Sequence, residues 1–478
     1  MNNYKPTIGI EIHLELKSNS KVFSPSRNNY KSPANENITE IDLGYPGTLP
    51  VFNEEVLNKA IKACLGLNMN ISSVMHFDRK NYFYPDLPKG YQITQMETPI
   101  GKDGYLEIEV NNEKKKIGIE RIHIEEDTAK SMHHEGKTLL NYNRSGVPLI
   151  EIVSKPDMHT KEEAMAYVSA LREIMLYLDV SDCKIEEGSM RCDVNISVSK
   201  DSSLGVRSEI KNIGSISNVG VAIDYEIERQ VKLLESGEVL YEDTRRFSED
   251  KKETIFMRKK DSNTDYRYFP EPDIPYLYLD EDRIINIKKD LPYLPEKRKE
   301  IYREKNISDI NIEKLIAHKS LSDYLNMFLE DNINFSIASN ILLGDISSYL
   351  NKNNTDIFEI NLTKDRFIEL VGALDSEKIS SKIFKTILDE YLDSSKSLDE
   401  ILNEKGLVQI SDKSEIEKFI KDVLSNYNSS VEDYKNGKTG VYKFLMGMVM
   451  KESKGTLNPR LADEVLKDIL DKSNWLLN

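Results

Sequence analysis

A strand-like segment near the N-terminus, residues 8–15, carries three polar residues at alternate positions. Side chains alternate between the two faces of a β-strand, so Glu11, His13 and Glu15 share one face and the apolar residues between them share the other. Burying carboxylates and an imidazole is costly unless they are paired or hold a cation. The segment is therefore a candidate metal site, although a solvated polar face explains it equally well on its own.

A second acidic cluster stands at the end of another predicted strand, where His123 is followed by Glu125, Glu126 and Asp127. Three consecutive carboxylates repel one another, and a divalent cation is the natural compensation in a compact site. Mg²⁺ favours such oxygen ligands together with water and substrate phosphates. A solvated acidic loop is the alternative, but two clusters within one predicted sheet domain favour the metal site.

Further polar residues follow in the same half of the chain. Glu151 interrupts an apolar strand, and two later segments contain Asp193 with Asn195 and Glu209 with Lys211. Taken singly, each is explained by an ion pair at a strand edge. As a set they offer metal ligands and cations for phosphate, which are the requirements of phosphoryl transfer: positioning and charge stabilisation without a covalent nucleophile.

Cations also stand beside aromatic residues in two segments, 77–86 and 266–272. In the first, Arg79 and Lys80 directly precede Tyr82, Phe83 and Tyr84. Aromatic rings stack on bases and cations bind phosphates, so these segments suit a nucleotide or an RNA end. Ordinary aromatic packing covered by the stems of long cationic side chains is the commoner explanation of any single case.

The elements that position these residues are predicted from periodicity. Alternating runs at 105–110 and 116–124, separated by a turn at 111–112, predict strands of an antiparallel sheet or open barrel. A second turn is predicted at 101–104. Helical spacing predicts a helix over 161–178, capped by Thr160, and another over 219–236 that ends at Gly237. From Pro295 onward the pattern is helical, with segments at 296–305, 320–330, 335–350 and 363–374.

The predicted fold class is therefore α+β, with a sheet or open-barrel cradle domain, an all-helical domain and a small helical tail domain. The predicted boundaries are 1–293, 294–405 and 406–478. A chain of 478 residues is too long for a single core. The net charge of −16 argues against broad non-specific binding of nucleic acid.

Three scattered cysteines without a CxxC spacing suit a reducing cytoplasm and exclude a four-cysteine zinc site. The N-terminus lacks the apolar run of a secretory signal, and the apolar stretch at 444–450 is too short to cross a bilayer. The sequence therefore predicts a cytoplasmic protein that does not enter the membrane.

Long motifs in a fixed order resemble those of the GatB family, the B subunits of the tRNA-dependent amidotransferase GatCAB. The resemblance covers essentially the whole chain, including a YqeY-like tail that would contact tRNA. The motifs lie at residues 9–16, 45–50, 77–86, 123–127, 148–152, 187–195, 265–273 and 430–438.

The resemblance implies a defined reaction. The GatB component of such a complex uses ATP and Mg²⁺ to phosphorylate the side-chain carboxylate of Glu-tRNA(Gln), Asp-tRNA(Asn) or both. A GatA-type amidase subunit hydrolyses glutamine, and the ammonia travels through a channel to displace the phosphate. A GatC-type small subunit completes the heterotrimer. The absence of a nucleophilic serine or cysteine motif in this chain agrees with glutamine hydrolysis by a partner.

The resemblance also implies the roles of individual residues. The metal-site residues would be Glu11, His13, Glu125, Glu151 and Glu209. The residues lining the same pocket, with Glu125, would be Glu126, Asp127, Asp193, Asn195 and Lys211, and those binding phosphate or the aminoacyl end would be Arg79 and Lys80. Some relatives carry a four-cysteine zinc knob after the first strand, but this chain has no cysteine there, so no zinc is expected.

Two other functions remain open from the sequence. One is a stand-alone ATP-dependent carboxylate–amine ligase that takes free ammonia. The other is a tRNA-binding scaffold without catalysis, in which the acidic clusters are structural. Hydrolysis of ATP that depends on charged tRNA, measured with and without partner subunits, separates the three.

Overall fold

The computed structural model of the chain describes residues 4–201, 203–260, 266–407, 412–453 and 456–471. Asp265, the first residue of one family motif, and residues 408–411 of the tail predicted at 406–478 lie outside the described residues. The chain divides into two units, Met1–Pro295 and Glu296–Asn478. The division into three domains predicted from the sequence stays a prediction.

A nine-stranded sheet organises the first unit. Its strands, from one edge to the other, are β14 (Glu253–Lys259), β13 (Asp243–Ser248), β12 (Ser208–Lys211), β11 (Met190–Ser199), β1 (Lys5–Glu15), β10 (Pro148–Ser154), β7 (Glu113–Glu126), β6 (Gly101–Val110) and β2 (Asn70–Ile71). The β12–β13 pair is parallel and the other pairs are antiparallel, so the sheet is mixed.

Three small sheets complete the strands of this unit. They are formed by β15 (Phe269–Pro270), β4 (Asp78–Asn81) and β5 (Tyr91–Thr94); by β16 (Leu277–Tyr278) and β3 (Val74–Met75); and by β8 (Lys130–His134) and β9 (Lys137–Asn141). The strand β4 carries the predicted phosphate-binding residues Arg79 and Lys80, and it pairs with β15 from the second aromatic segment. The two cation-plus-aromatic segments are therefore neighbours in space.

The predicted hairpin is confirmed, and its turn is the Asn111–Asn112 pair, both with a positive φ that suits asparagine. The turn predicted at 101–104 is wrong. Gly104 lies inside β6, where a Cβ would come within 2.5 Å of the Leu67 carbonyl oxygen and closer still to the Met69 side chain. This glycine therefore serves a close approach of two backbones rather than a turn.

Among the described residues of this unit, four α-helices accompany the sheet: α1 (Glu54–Gly66), α2 (Lys161–Tyr177), α3 (Ile216–Glu235) and α4 (Glu281–Lys289). The Thr160 side chain caps α2, as predicted, by accepting a hydrogen bond from the Glu163 N–H. The helix predicted at 219–236 begins earlier because Ser215 caps it. The apolar residues of β1 pack with α1, α2 and α3 in one hydrophobic core, which leaves Glu11 and His13 on the opposite face of the sheet.

The regular elements that the structure describes in the second unit are helices. They are α5 (Pro295–Glu304), α6 (Asp309–Ala317), α7 (Lys319–Asn326), α8 (Phe335–Ile341), a π-helical turn (Leu342–Ile346), α9 (Ser347–Asn353), α10 (Lys364–Asp375), α11 (Ser381–Asp393), α12 (Leu398–Glu404), α13 (Lys413–Ser425), α14 (Asn428–Lys435), α15 (Val441–Glu452) and α16 (Pro459–Asp471). The last four share a hydrophobic core of their own. The sequence did not predict α6, α11 and α12, although each has an amphipathic core-facing side.

Candidate functional site

The strand register assembles most of the predicted site residues on one face of the sheet. His123 on β7 lies opposite Glu151 on β10, and Glu151 lies opposite His13 on β1. One strand further along, Glu11 lies opposite Asp193 on β11. Residues facing each other across antiparallel strands have side chains in contact range. A continuous band of polar side chains therefore crosses the sheet from β7 to β11, and Asn195 extends it to Glu209 on β12.

The first cluster consists of His13, Glu125 and Glu151, whose ligand atoms lie within 4.8 Å of one another. The His13 Nε2 atom is 3.3 Å from Glu151 Oε2 and 3.7 Å from Glu125 Oε1. The His123 Nε2 atom lies at the same two distances from Glu151 Oε2 and Glu125 Oε2. Two imidazoles and two carboxylates thus lie together, with His123 and Glu125 buried and His13 and Glu151 half-buried.

Attraction between the opposite charges of this cluster offsets the free-energy cost of burying them. Burial opposes the charged imidazole of His123, but Glu151 and Glu125 outweigh it and raise its pKa to about 9. The pKa of His13 is also raised, because the bond to Glu151 and the charge of Glu125 exceed the cost of burial. Burial likewise opposes the charge of Glu151, yet the histidines hold its pKa well below the usual range. In the metal-free protein the cluster is therefore a network of ion pairs.

This network makes the stability of the metal-free protein depend on pH. The folded-state pKa of His123 lies above its unfolded value, so its stabilisation is complete below about pH 6.5 and is lost as the pH rises through about 9. We expect the difference in unfolding free energy between the wild type and His123→Gln to shrink by on the order of 2 kcal/mol over this range. Hydrogen exchange of the β7 and β10 amides in chelator measures it. A difference that grows with pH would contradict the assignment.

The second cluster consists of Glu11, Asp193 and Glu209, again with ligand atoms within 4.8 Å of one another. Two lysines compensate two of its three carboxylates. The Lys211 Nζ atom lies 2.5 Å from Asp193 Oδ2 and 3.0 Å from Glu209 Oε1, and the Lys260 Nζ atom lies 2.9 Å from Glu209 Oε2. Burial opposes the charge of Glu209, but Lys211 and Lys260 lower its pKa to about 2.

Glu11 is the least compensated carboxylate of this cluster. Burial, followed by the charges of Glu151 and Glu209, raises its pKa, and the side chain accepts a hydrogen bond of 2.8 Å from the Asn195 amide. The Asn195 Oδ1 atom is buried and has no hydrogen-bond partner among the described residues. Since an orphaned buried oxygen is costly, it indicates a position for a cation or another donor.

The donor sets of the two clusters fit divalent cations. The second cluster offers oxygen atoms alone, with the Asn195 Oδ1 atom beside them, which is the ligand type that Mg²⁺ prefers. The first cluster adds the imidazole nitrogen of His13 to two carboxylates, a mixed set that also suits transition metals.

The predicted phosphate-binding residues Arg79 and Lys80 differ in availability. The Arg79 guanidinium binds Glu271 bidentately, with distances of 2.7 and 2.8 Å, and Asp273 at 3.0 Å. The Lys80 ammonium instead lies 4.9 Å from the centre of the Tyr266 ring, on the site side of β4. Burial opposes its charge, but Tyr268, Glu125 and Glu151 raise its pKa. A positive charge therefore faces the first cluster.

Glu126 and Asp127, predicted to line the pocket, are engaged with neighbouring loops. The Glu126 carboxylate lies 2.5 Å from the Lys89 Nζ atom and accepts a hydrogen bond of 2.9 Å from the Ile93 N–H. The Asp127 carboxylate accepts hydrogen bonds from the Arg144 and Arg191 guanidinium groups. Asp127 thus holds Arg191, whose backbone pairs with His13, at the edge of the first cluster.

A cavity of about 430 Å³ lies beside both clusters. It is lined by His13, Arg191, Asp193 and Lys211 together with apolar residues that include Ile185 and Ile213. Positive side chains at one end and apolar ones nearby suit a ligand that has an anionic part and an apolar part.

Three functional candidates were not predicted from the sequence as site residues. His123 and Arg191 stand two positions from Glu125 and Asp193, so the alternation of faces along β7 and β11 places them in the site. That signal is present in the sequence. Lys260 follows β14 and reaches Glu209 only because β13 pairs with both β12 and β14, and no local pattern indicates it.

Comparison with known proteins decides the family. The GatB/GatE catalytic domain matches residues 6–285, and the GatB domain matches residues 323–470. The B subunit of an aspartyl/glutamyl-tRNA(Asn/Gln) amidotransferase from Oceanobacillus iheyensis is 45% identical over 473 residues, which cover 98% of this chain and 99% of the relative. The chain belongs to the GatB family. Proteins of the same name from Staphylococcus saprophyticus and Geobacillus thermodenitrificans are each 44% identical, over 98% of this chain and 100% of their own length.

The family assignment agrees with the resemblance inferred from the motifs. All site residues named above fall within the region matched by the GatB/GatE catalytic domain. None of the helices in the described part of this GatB-family chain has the length and apolar character needed to cross a membrane.

Proposed function

We propose that this chain is the GatB component of a glutamine-dependent tRNA amidotransferase. In this function it uses ATP to phosphorylate the side-chain carboxylate of Glu-tRNA(Gln), Asp-tRNA(Asn) or both. Ammonia released from glutamine by a GatA-type amidase subunit then displaces the phosphate to give the amide. A GatC-type small subunit completes the complex, and the YqeY-like tail contacts the tRNA.

The observation that carries the proposal is the pairing of two carboxylate clusters with Arg191 and Lys211 on one face of the nine-stranded sheet, beside a cavity, together with the positive charge of Lys80 on β4. A carboxylate is a poor electrophile, and conversion to an acyl-phosphate supplies the leaving group that amidation needs. Transfer of phosphate to an anion requires neutralisation of both partners. The side chains described here provide both the anionic ligands and the fixed positive charges.

The residues take different roles in this proposal. Mg²⁺, held by Glu11, His13, Glu125, Glu151 and Glu209, would supply charge neutralisation between the two anions. Lys211 and Arg191 would bind the phosphates in the cavity, Asp127 would hold Arg191 in place, and Lys80 would orient the carboxylate of the aminoacyl end. Burial of the first cluster would exclude water, which would otherwise hydrolyse the acyl-phosphate.

The domain organisation belongs to the same proposal. Residues 1–293 would form the catalytic cradle, residues 294–405 a helical domain, and residues 406–478 the tail. The relatives, which this chain matches over nearly their whole length, are named as subunits of an amidotransferase. Their names support a role as one subunit of a complex over a stand-alone ligase.

The test compares three reactions with the purified full chain: ATP alone, ATP with charged tRNA, and both with the amidase and small subunits and glutamine. We expect ATP hydrolysis that depends on charged tRNA, and amide formation only with the partners. Amide formation by the chain alone from free ammonia would favour the ligase. An absence of ATP hydrolysis in the complete mixture would favour the scaffold.

Adjacent cations on β4 provide a matched pair of variants. We expect Lys80→Met to lower kcat/KM for charged tRNA on the order of 100-fold, because it removes the positive charge that faces Glu125 and Glu151. We expect Arg79→Met mainly to lower the Tm, because it leaves the buried Glu271 carboxylate without its partner. Full activity of Lys80→Met would contradict its role.

A further inference from the structure

The ammonium group of Lys211 lies against two carboxylates of the second cluster. It lies 2.5 Å from Asp193 Oδ2 and 3.0 Å from Glu209 Oε1, two of the three carboxylates that a divalent cation would use there. Mg²⁺ binds such oxygens at roughly 2.1 Å in octahedral geometry. A divalent cation at these oxygens and the ammonium group repel each other, so binding of the cation to Asp193 Oδ2 and Glu209 Oε1 would displace Lys211.

The other contacts of the cluster are compatible with either occupant. Glu209 has its second oxygen, Oε2, bound by Lys260 at 2.9 Å and by the Thr244 hydroxyl at 3.1 Å. Departure of Lys211 would therefore free Glu209 Oε1 while this carboxylate remained anchored. Glu11 and the unpartnered Asn195 Oδ1 atom supply further oxygens. The cluster therefore keeps, for a cation, oxygen atoms that Lys211 does not contact.

The cavity beside the second cluster can accept the Lys211 ammonium group. The Lys211 side chain is one-third exposed and lines the cavity of about 430 Å³ that Arg191 shares. A lysine ends in a compact charge on a flexible four-carbon stem, so its ammonium can move while the strand stays in place. The backbone of Lys211 is fixed by pairing between β12 and β13. Only rotation of the side chain is needed to carry its charge from the carboxylates into the cavity.

We propose that Lys211 is a place-holder that exchanges with a divalent cation. It neutralises Asp193 and Glu209 when no cation is bound at the second cluster, and it turns into the cavity to bind a phosphate when one is. The inference rests on the proposed function, which supplies the cation and the phosphate. It adds that the divalent cation and the phosphate bind cooperatively. Whichever binds first moves Lys211 away from the carboxylates, so the second binds without that cost.

The exchange is tested by binding of Mn²⁺ and ADP to the full chain, without any measurement of activity. In the absence of ADP, we expect Lys211→Met to bind Mn²⁺ roughly tenfold more tightly than the wild type, since no ammonium must be displaced. We expect the two proteins to bind ADP equally in chelator, where the lysine stays on the carboxylates. With Mn²⁺ present, the wild type should bind ADP more tightly than Lys211→Met.

Lys184→Met is the matched control. It removes the same charge next to Ile185 of the cavity wall, but Lys184 pairs with Glu187 and not with the cluster. We expect it to change Mn²⁺ affinity less than about twofold. Addition of Glu209→Gln to Lys211→Met should abolish the gain in Mn²⁺ affinity, which would assign the gain to the second cluster.

A measurement on the wild type makes the test independent of any variant. Acetylation of Lys211, followed by mass spectrometry, should be slow in chelator and faster with Mn²⁺, while acetylation of Lys184 stays constant as the internal reference. Mn²⁺ affinity of Lys211→Met equal to or below the wild type, or acetylation of Lys211 unchanged by Mn²⁺, would overturn the place-holder. Absence of Mn²⁺ binding in both proteins would instead overturn the metal site of the proposed function.

Discussion

Replacing Glu125 by glutamine is expected to reduce charged-tRNA-dependent ATP hydrolysis by at least about 100-fold. The substitution keeps the shape of the side chain and removes its charge. Glu125 is buried between two histidines, with one oxygen 3.7 Å from His13 and the other 3.7 Å from His123. Loss of this charge leaves the first cluster with one carboxylate against two imidazoles. A divalent cation then loses a ligand and meets a more positive site.

Two measurements identify the cause of the loss. The kcat of ATP hydrolysis in the complete complex gives the size of the effect, and Mn²⁺ titration of the full chain should show affinity reduced by roughly 10- to 100-fold. Wild-type hydrolysis by Glu125→Gln would refute the assignment of Glu125 to the metal site.

Glu226→Gln is the control for removal of a buried carboxylate from the same unit. Glu226 is fully buried on α3, where it accepts hydrogen bonds from Arg229, Gln230 and Thr254. It belongs to neither cluster. We expect this variant to lower the Tm while Mn²⁺ affinity stays at the wild-type value. The contrast separates loss of a ligand from loss of stability.

The polar face of the sheet was predictable because a strand has a period of two. Glu11 and His13 alternate with buried apolar residues, and so do His123 and Glu125, which is why both polar segments could be recognised from the sequence. Which segments meet depends on strand order, and the sequence carries no local record of it. The order β7–β10–β1–β11 joins residues more than 170 positions apart.

The division of roles between Arg79 and Lys80 illustrates the same limit. Adjacent residues on a strand point to opposite faces, so the two cations could not share one environment. Which of them would face the site was decided by partners remote in sequence: Glu271 and Asp273 bind Arg79. The resemblance implied that both bind phosphate or the aminoacyl end, and charge and aromatic content could not distinguish them.

The long irregular segment between β1 and α1 is held by polar contacts that the sequence did not indicate. The fully buried Lys21 ammonium lies 3.4 Å from Asp42 Oδ1, and Asp42 also accepts hydrogen bonds from Ser24, Ser26 and Thr39. Loops of this length without regular structure need such internal ties. We infer that this hub ties the segment together.

Replacing Asp42 by alanine is accordingly expected to lower the free energy of unfolding of this unit by about 3–5 kcal/mol, because it leaves a buried ammonium group without a counter-charge. The destabilisation should extend to the part of the functional site around Asp127. Lys21 also donates a hydrogen bond to the Tyr142 carbonyl, next to the turn that carries Arg144 to Asp127. Hydrogen exchange should therefore accelerate at residues 142–147 as well as in the loop.

The double variant Lys21→Met with Asp42→Leu distinguishes two causes of the lost stability: an uncompensated buried charge and a loss of packing. It removes both charges and restores apolar volume, so we expect it to be more stable than Asp42→Ala by at least about 1 kcal/mol. Equal destabilisation by both variants would show that packing, and not the uncompensated charge, accounts for the loss. Metal analysis tests a related prediction: stoichiometric zinc in the wild-type protein would contradict the expectation, from the absence of cysteine in this segment, that no zinc is bound.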